Sequence, residues 1–132
     1  MTTLCVLFAG YSINVYTDGT KAPHLDPMSE QARAGQDLFQ EHNCIACHQF
    51  YGLGGYMGPD LTNVISKYQG NGIVAKSFIM NGTASMPNLG INEEEADQLV
   101  AYLEFVDQTG TYPPTDFDIK WWGAVSQADD PQ

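Results

Sequence analysis

Apolar and polar positions along this chain repeat mostly at helical intervals. Met1–Thr17 (MTTLCVLFAGYSINVYT) contains no charged residue. As a helix it would span roughly 25 Å, slightly less than the ~30 Å of a bilayer core. No Lys or Arg precedes it, so neither a signal-peptide n-region nor a positive-inside anchor is read. Two readings stay open: the outer end of a transmembrane helix whose first turns are missing or polar, or an apolar N-terminus packed on a partner. Residues 18–28, with two prolines, a glycine and mixed charge, read as a linker. Ser29 caps a helix over Glu30–His42, where Ala32, Gly35, Leu38 and Phe39 recur at three- and four-residue steps. Residues 49–60 hold four glycines and a proline and read as an ordered loop. Short helices fit Asp60–Tyr68 and Ile73–Asn81, the second closed by Gly82. Asn92 and Glu95 make a capping-box start for a helix whose apolar stripe is Ala96, Leu99, Val100, Leu103 and Val106. Gly110 ends that helix, and residues 111–132 form an acidic tail containing Trp121 and Trp122. About four helices, long loops and no alternating strand pattern predict an all-α fold.

Composition narrows the function classes. At 132 residues the chain suits one domain with a small core, which a bound cofactor would reinforce. Sixteen acids against five Lys and Arg give a net charge of −11, which repels phosphate backbones and argues against nucleic acid and anionic lipid headgroups. Three cysteines cannot build a multi-disulfide scaffold, and two of them stand three residues apart. Cys5 reads as a small apolar side chain within its segment.

The chemistry is concentrated in Cys44-Ile45-Ala46-Cys47-His48, a C-x-x-C-H motif for c-type haem attachment. Two thiols so spaced can each add across a haem vinyl group, and the adjacent histidine supplies a nitrogen to the iron. A redox dithiol would want a strand before the motif, whereas a helix precedes it here. A structural zinc site needs four ligands, and the chain has no second cysteine pair.

A second axial ligand must come from further along the chain. His42 lies on the proximal side, His24 falls in the linker, and Met80 reads as core filler beside Phe78 and Ile79. Met57 is nine residues after His48, too few to wrap the ring edge, whereas Met86, thirty-eight residues on and followed by Pro87, can return on the opposite face. His/Met ligation implies a relatively high potential and electron transfer. Gly58-Pro59-Asp60-Leu61 supplies a carbonyl acceptor, at Pro59, for the free ring N–H of His48.

From Ser29 to Val106 the order C-x-x-C-H, G-P-x-L, M-P and a final amphipathic helix resembles the class I cytochromes c. The resemblance implies that two terminal helices cross, Gly35 and Phe39 meeting Leu99, Tyr102 and Leu103. It also implies that Leu61 packs on the haem. The run NCIACHQFYGLGGYMGPDLTNV, with Tyr112-Pro113-Pro114 behind it, is similar to the cytochrome c subunits of bacterial nitric oxide reductase. That likeness implies a monohaem domain over residues 29–110 facing the periplasm, an N-terminal membrane anchor and a soluble electron donor. It further implies a large membrane-embedded catalytic partner of the haem-copper type. A Gly-x-Tyr in that family contributes to a calcium ion at the subunit boundary, which here corresponds to Gly54 and Tyr56. The short anchor and the tail from Thr115 depart from the pattern.

The expected function is electron transfer without catalysis of the chain's own, since two axial ligands close the iron and no acid–base constellation stands elsewhere. The competing readings are a subunit of another respiratory oxidase, a free diffusible carrier, and a haem sensor or peroxidase-like enzyme with a labile Met86. Residues 43–59 hold no Lys, Arg, Asp or Glu, so the surface near the cysteines is expected to be apolar and neutral. Residues 92–132 hold ten acids and one lysine, most of which read as solubilising charge. Trp121 and Trp122 read as an anchor on a partner or at a lipid interface.

Overall fold

The computed structural model describes residues 2–17, 26–114, 117–119, 121, 123 and 125–127. His24 and Trp122, both singled out above, lie outside them. Helix α1 covers Thr2–Thr17, and α2 covers Glu30–Glu41. A single 3-10 turn, Cys44–Ala46, follows, and then strands β1 (Gln49–Phe50) and β2 (Leu53–Gly54). Helices α3 (Val64–Lys67), α4 (Gly72–Asn81) and α5 (Glu93–Asp107) come next. Strands β3 (Phe117–Ile119) and β4 (Val125–Gln127) pair antiparallel near the end.

The all-α expectation is met in the helices and corrected at two places. Residues 49–54 form a small antiparallel hairpin, with Gln49 opposite Gly54 and Phe50 opposite Leu53, and the tail holds the β3–β4 pair. Strands of two or three residues carry no alternation that a sequence pattern could reveal. The first hairpin turns through Tyr51 and Gly52, both at positive φ (53° and 72°), where Gly is the residue at no steric disadvantage.

The helix starts follow from side chains able to bind exposed N–H groups. The Ser29 hydroxyl accepts from Ala32 N at 3.1 Å. Asn92 and Glu95 form a reciprocal capping box, with bonds of 3.0 and 2.9 Å. Asn71 caps α4 by accepting from Ile73 N, a start that the hydrophobic pattern does not announce.

Helices α2 and α5 cross at Gly35. A Cβ there would fall 1.9 Å from the Gln98 carbonyl oxygen and 2.9 Å from Tyr102 Cβ, so only a missing side chain permits this approach. Phe39 beside the crossing stacks on Phe50, with ring centroids 5.0 Å apart, and meets Tyr102 edge-on at 5.6 Å. These aromatics pack with the buried Ile91, Ala96 and Leu99. Leu103 belongs instead to a second buried cluster with Ile65 and Ala75, which seats α3 and α4 on α5. The expected helix crossing therefore stands, with Gln98 in the place given to Leu103. Lys76 reinforces the α4–α5 contact through Asp97 at 2.6 Å and Glu93 at 3.3 Å.

Helix α1 buries none of its side chains, and Leu4, Val6, Leu7, Phe8 and Ile13 are all largely exposed. Among the described residues no helix is long and apolar enough to cross a membrane.

Candidate functional site

The attachment motif begins where α2 ends. Asn43 turns the chain in the left-handed conformation (φ 50°, ψ 43°), a state Asn tolerates better than most residues. The 3-10 turn is closed by Ala46 N donating to Asn43 O at 3.0 Å, and His48 N donates to Cys44 O at 2.9 Å. The glycine-rich loop then folds back on this turn. Gly55 N donates to Ile45 O at 2.9 Å, and Gly58 N to Cys47 O at 2.7 Å. Two glycines make that approach feasible. A Cβ on Gly55 would sit 1.9 Å from Ala46 O, and one on Gly58 would sit 2.5–3.1 Å from three atoms of the His48 ring.

His48 Nδ1 lies 2.9 Å from the Pro59 carbonyl oxygen. A carbonyl can only accept, so Nδ1 carries the hydrogen and Nε2 keeps its lone pair. The imidazole is thereby set as a ligand. The chain after Pro59 is held in turn. Leu61 N donates to Gln49 O at 2.8 Å. The Asp60 carboxylate accepts from Gly52 N and Thr62 N, each at 2.8 Å, and Thr62 Oγ1 accepts from Tyr51 N at 2.7 Å. Burial would raise the Asp60 pKa, but the Thr62 hydroxyl and the two backbone N–H groups outweigh it and hold the carboxyl below its ordinary value. Thr62 is fully buried, the one polar side chain in the core among the described residues.

A cleft opens beside this motif. Its inner part is walled by Phe39, Leu61, Phe78 and Leu99 together with Cys44, His48 and Met86. Its outer part shares Cys44, His48, Phe78 and Met86 and adds Cys47, Pro59 and Thr83. Burial, helped by the nearby Cys47 and opposed by a backbone hydrogen bond, pushes the Cys44 thiol pKa up. Cys5 is far more open, on an exposed helix.

The two thiols, the imidazole and the Met86 thioether thus border one cleft, with Met57 at its outer rim. That donor set fits a covalently held haem: thiols for the vinyl groups, an N/S pair for the iron, and hydrocarbon walls for the ring. Of the other methionines, Met80 packs against the core as expected, and Met57 is 78% exposed at the outer rim. His42 also borders the outer cleft, on the cysteine side. Gly54 is exposed at φ 139°, and the Tyr56 side chain is 85% exposed rather than packed at the cleft edge. Among the described residues no three His, Cys, Asp or Glu side chains gather as a metal site.

Sequence patterns alone do not reveal the ties that carry the Tyr112-Pro113-Pro114 segment to this loop. Asn63 Nδ2 donates to Gly110 O at 2.8 Å, and Asn63 Oδ1 accepts from Tyr112 N at 2.8 Å. Tyr51 bonds Thr109 through their hydroxyls, and a Cβ on Gly52 would meet the Tyr112 hydroxyl at 2.1 Å. The only local signal is Asp60-Leu61-Thr62-Asn63, whose short polar side chains bind nearby backbone in turns.

Residues 30–103, more than half of the chain, match the family described as cytochrome c oxidase, cbb3-type, subunit III. The nitric oxide reductase C subunit of Halomonas halodenitrificans is 28% identical over 109 residues, covering 74% of this chain and 69% of the relative. Its counterpart from Stutzerimonas stutzeri is 24% identical over 121 residues, 83% of this chain and 82% of that one. Cytochrome c oxidase subunit 2 of Alkalihalophilus pseudofirmus is 28% identical over 102 residues, which are 68% of this chain but 30% of the relative.

Proposed function

The chain belongs to the cbb3-type cytochrome c oxidase subunit III family of c-type cytochromes, and from that premise we propose that it carries one covalent haem c and delivers electrons to a nitric oxide reductase. Its resemblance to a named subunit of two such reductases, over most of both chains, supports that choice of acceptor. The observation that carries the haem assignment is the 2.9 Å contact from His48 Nδ1 to Pro59 O, made beside two cysteines on a cleft that Met86 also lines.

Each role falls to a named side chain. Cys44 and Cys47 would hold the porphyrin through thioether bonds, and His48 Nε2 and the Met86 sulfur would be the donors to its iron. Pro59 O fixes the His48 tautomer and ring plane and raises the basicity of the ligand nitrogen. Leu61 lines the apolar wall, which keeps water from the ring. Bound haem would supply an iron that cycles between ferric and ferrous states. A Met86 thioether on that iron would favour its ferrous state, and so would suit the group to accept and pass single electrons.

Ile45, Leu53, Tyr56 and Met57 are exposed in the stretch around the cysteines, which holds no charged residue. Such a surface suits close approach to a partner. Residues 29–110 form the haem domain, on the extracytoplasmic side. Helix α1, uncharged and exposed, lies in lipid or against a helix of the large catalytic partner. Calcium at that boundary would take the Gly54 carbonyl and Tyr56, with further donors from the partner.

A second reading, delivery to an oxygen-reducing oxidase, is favoured by the family description and by the oxidase subunit 2 relative. Mixing the reduced protein with membranes that contain either a nitric oxide reductase or an oxygen-reducing oxidase distinguishes the two. Re-oxidation coupled to nitric oxide consumption is the expected result. Re-oxidation only with the oxidase and oxygen would replace the first acceptor by the second.

A further inference from the structure

The segment that carries Met86 is a closed turn hung directly on the end of α4. Helix α4 stops at Gly82, whose N–H donates to Phe78 O at 2.8 Å. Gly82 sits at φ 67° and ψ −170°, a conformation essentially confined to glycine. A Cβ there would stand 2.6 Å from Met86 O and 2.9 Å from Asn88 N, so the chain after Met86 packs back on the helix end. Thr83 closes the turn from both sides. Its N–H donates to Met86 O at 2.8 Å, and its Oγ1 accepts from Met86 N at 3.0 Å and from Ser85 N at 3.3 Å. Both backbone groups of Met86 are therefore held by one residue. Helix α4 itself is anchored by Ala75 in the core cluster with Ile65 and Leu103.

We infer that Thr83 is a positioning residue that holds Met86 in ligand geometry, so that its hydroxyl sets how firmly the thioether stays on the haem iron. This rests on the reading of Met86 as the axial ligand and adds to it. An unconstrained loop would have to order each time the sulfur bound, at a cost in conformational entropy for every residue fixed. A turn already closed by Thr83 and Gly82 has lost that freedom beforehand, which favours the bound state over displacement by water or an external ligand. A hydroxyl is needed because only an oxygen acceptor at this position reaches the Met86 and Ser85 N–H groups together. Valine offers the same shape without the acceptor, and serine retains it.

The test uses the haem-loaded full chain and four variants: Thr83→Val, Thr83→Ser, Gly82→Ala and Met86→Ala. The readouts are the weak red absorption band of a ferric haem–thioether bond, the midpoint potential, and the rate of cyanide binding to the ferric protein. Thr83→Val should weaken the band, lower the potential and speed cyanide binding roughly three- to tenfold, the factor for one lost net hydrogen bond. Thr83→Ser should remain close to the parent. Gly82→Ala should behave like Thr83→Val, because its Cβ would displace Met86 with the hydroxyl still present. Far-ultraviolet circular dichroism should be unchanged in all four, since the turn lies outside the helices. A Thr83→Val protein with the parent's band and cyanide rate would overturn the inference, and so would a serine variant as altered as the valine one. Met86→Ala separates the two levels. If it abolishes the band while Thr83→Val changes nothing, the ligand assignment survives and the positioning role fails. If Met86→Ala itself leaves band and potential intact, both fail.

Discussion

Gly35 of α2 passes so close to Gln98 of α5 that its hydrogen occupies space a methyl group would need, 1.9 Å from the Gln98 carbonyl oxygen. This crossing fixes the two longest helices of the haem-domain fold and sets the tilt of Phe39, which walls the cleft. Neither neighbour can yield cheaply, since one is backbone and the other is the Cβ of Tyr102. Gly35→Ala gains helix propensity yet must force the helices apart, and overpacking of this kind costs about 1–3 kcal/mol. Thermal unfolding of the haem-loaded protein should show a clear fall in melting temperature. An unchanged or higher value would mean that the helices slide past one another without loss.

The two helices were legible in the sequence, since Ala32, Gly35 and Phe39 in one and Ala96, Leu99 and Leu103 in the other recur at helical steps and Ser29 and Asn92 announce the starts. Their crossing followed only from the resemblance to the class I cytochromes c, and Leu103 went to the second cluster. The motif Cys44–His48 and the Pro59 acceptor were equally open to reading, because their chemistry depends on local spacing. What escaped depended on chain segments that meet only after folding. Thr62 looks like an ordinary polar loop residue, and its burial follows from its bond to Tyr51 N across the hairpin. The same holds for Asn63, whose partners at Gly110 and Tyr112 lie almost fifty residues away. The hairpin turn at Tyr51 escaped because a tyrosine at φ 53° is no turn signal.

Gly58 controls how the His48 ring lies. Its φ is ordinary for an L residue, so Gly58→Ala should fold, but the added methyl would press on ring atoms from 2.5 Å away. The ring must tilt, and the bond from Nδ1 to Pro59 O weakens. A less strongly donating imidazole stabilises ferric iron less, so the midpoint potential should rise relative to the parent. Redox titration of the two proteins checks this, and a lowered potential would contradict the role given to the Pro59 carbonyl.

Asp60 makes the proximal loop sensitive to acid. Its carboxyl is held below the ordinary value of 3.8 in the folded protein. A depressed folded-state pKa means that the contribution to stability is present above the unfolded value and lost as pH falls through the folded one. At neutral pH Asp60→Asn should therefore melt below the parent, since the Gly52 and Thr62 N–H groups face a poorer acceptor. That difference should narrow as the pH falls from about 4, where the unfolded chain's carboxylate takes up a proton, through the lower value at which the folded one does. Melting curves of both proteins at neutral and acidic pH test the sign. A gap that stays constant across the range would show that the charge of Asp60 plays no part.

The account stands on Cys44 and Cys47 being bonded to one haem. Intact-mass measurement of the chain, produced in cells able to mature c-type cytochromes and denatured before measurement, tests this most directly. The expected spectrum is the polypeptide plus the mass of a single haem, reduced to bare polypeptide when both cysteines are replaced by alanine. A bare polypeptide from the parent sequence, under conditions where a control cytochrome c acquires its haem, would contradict it.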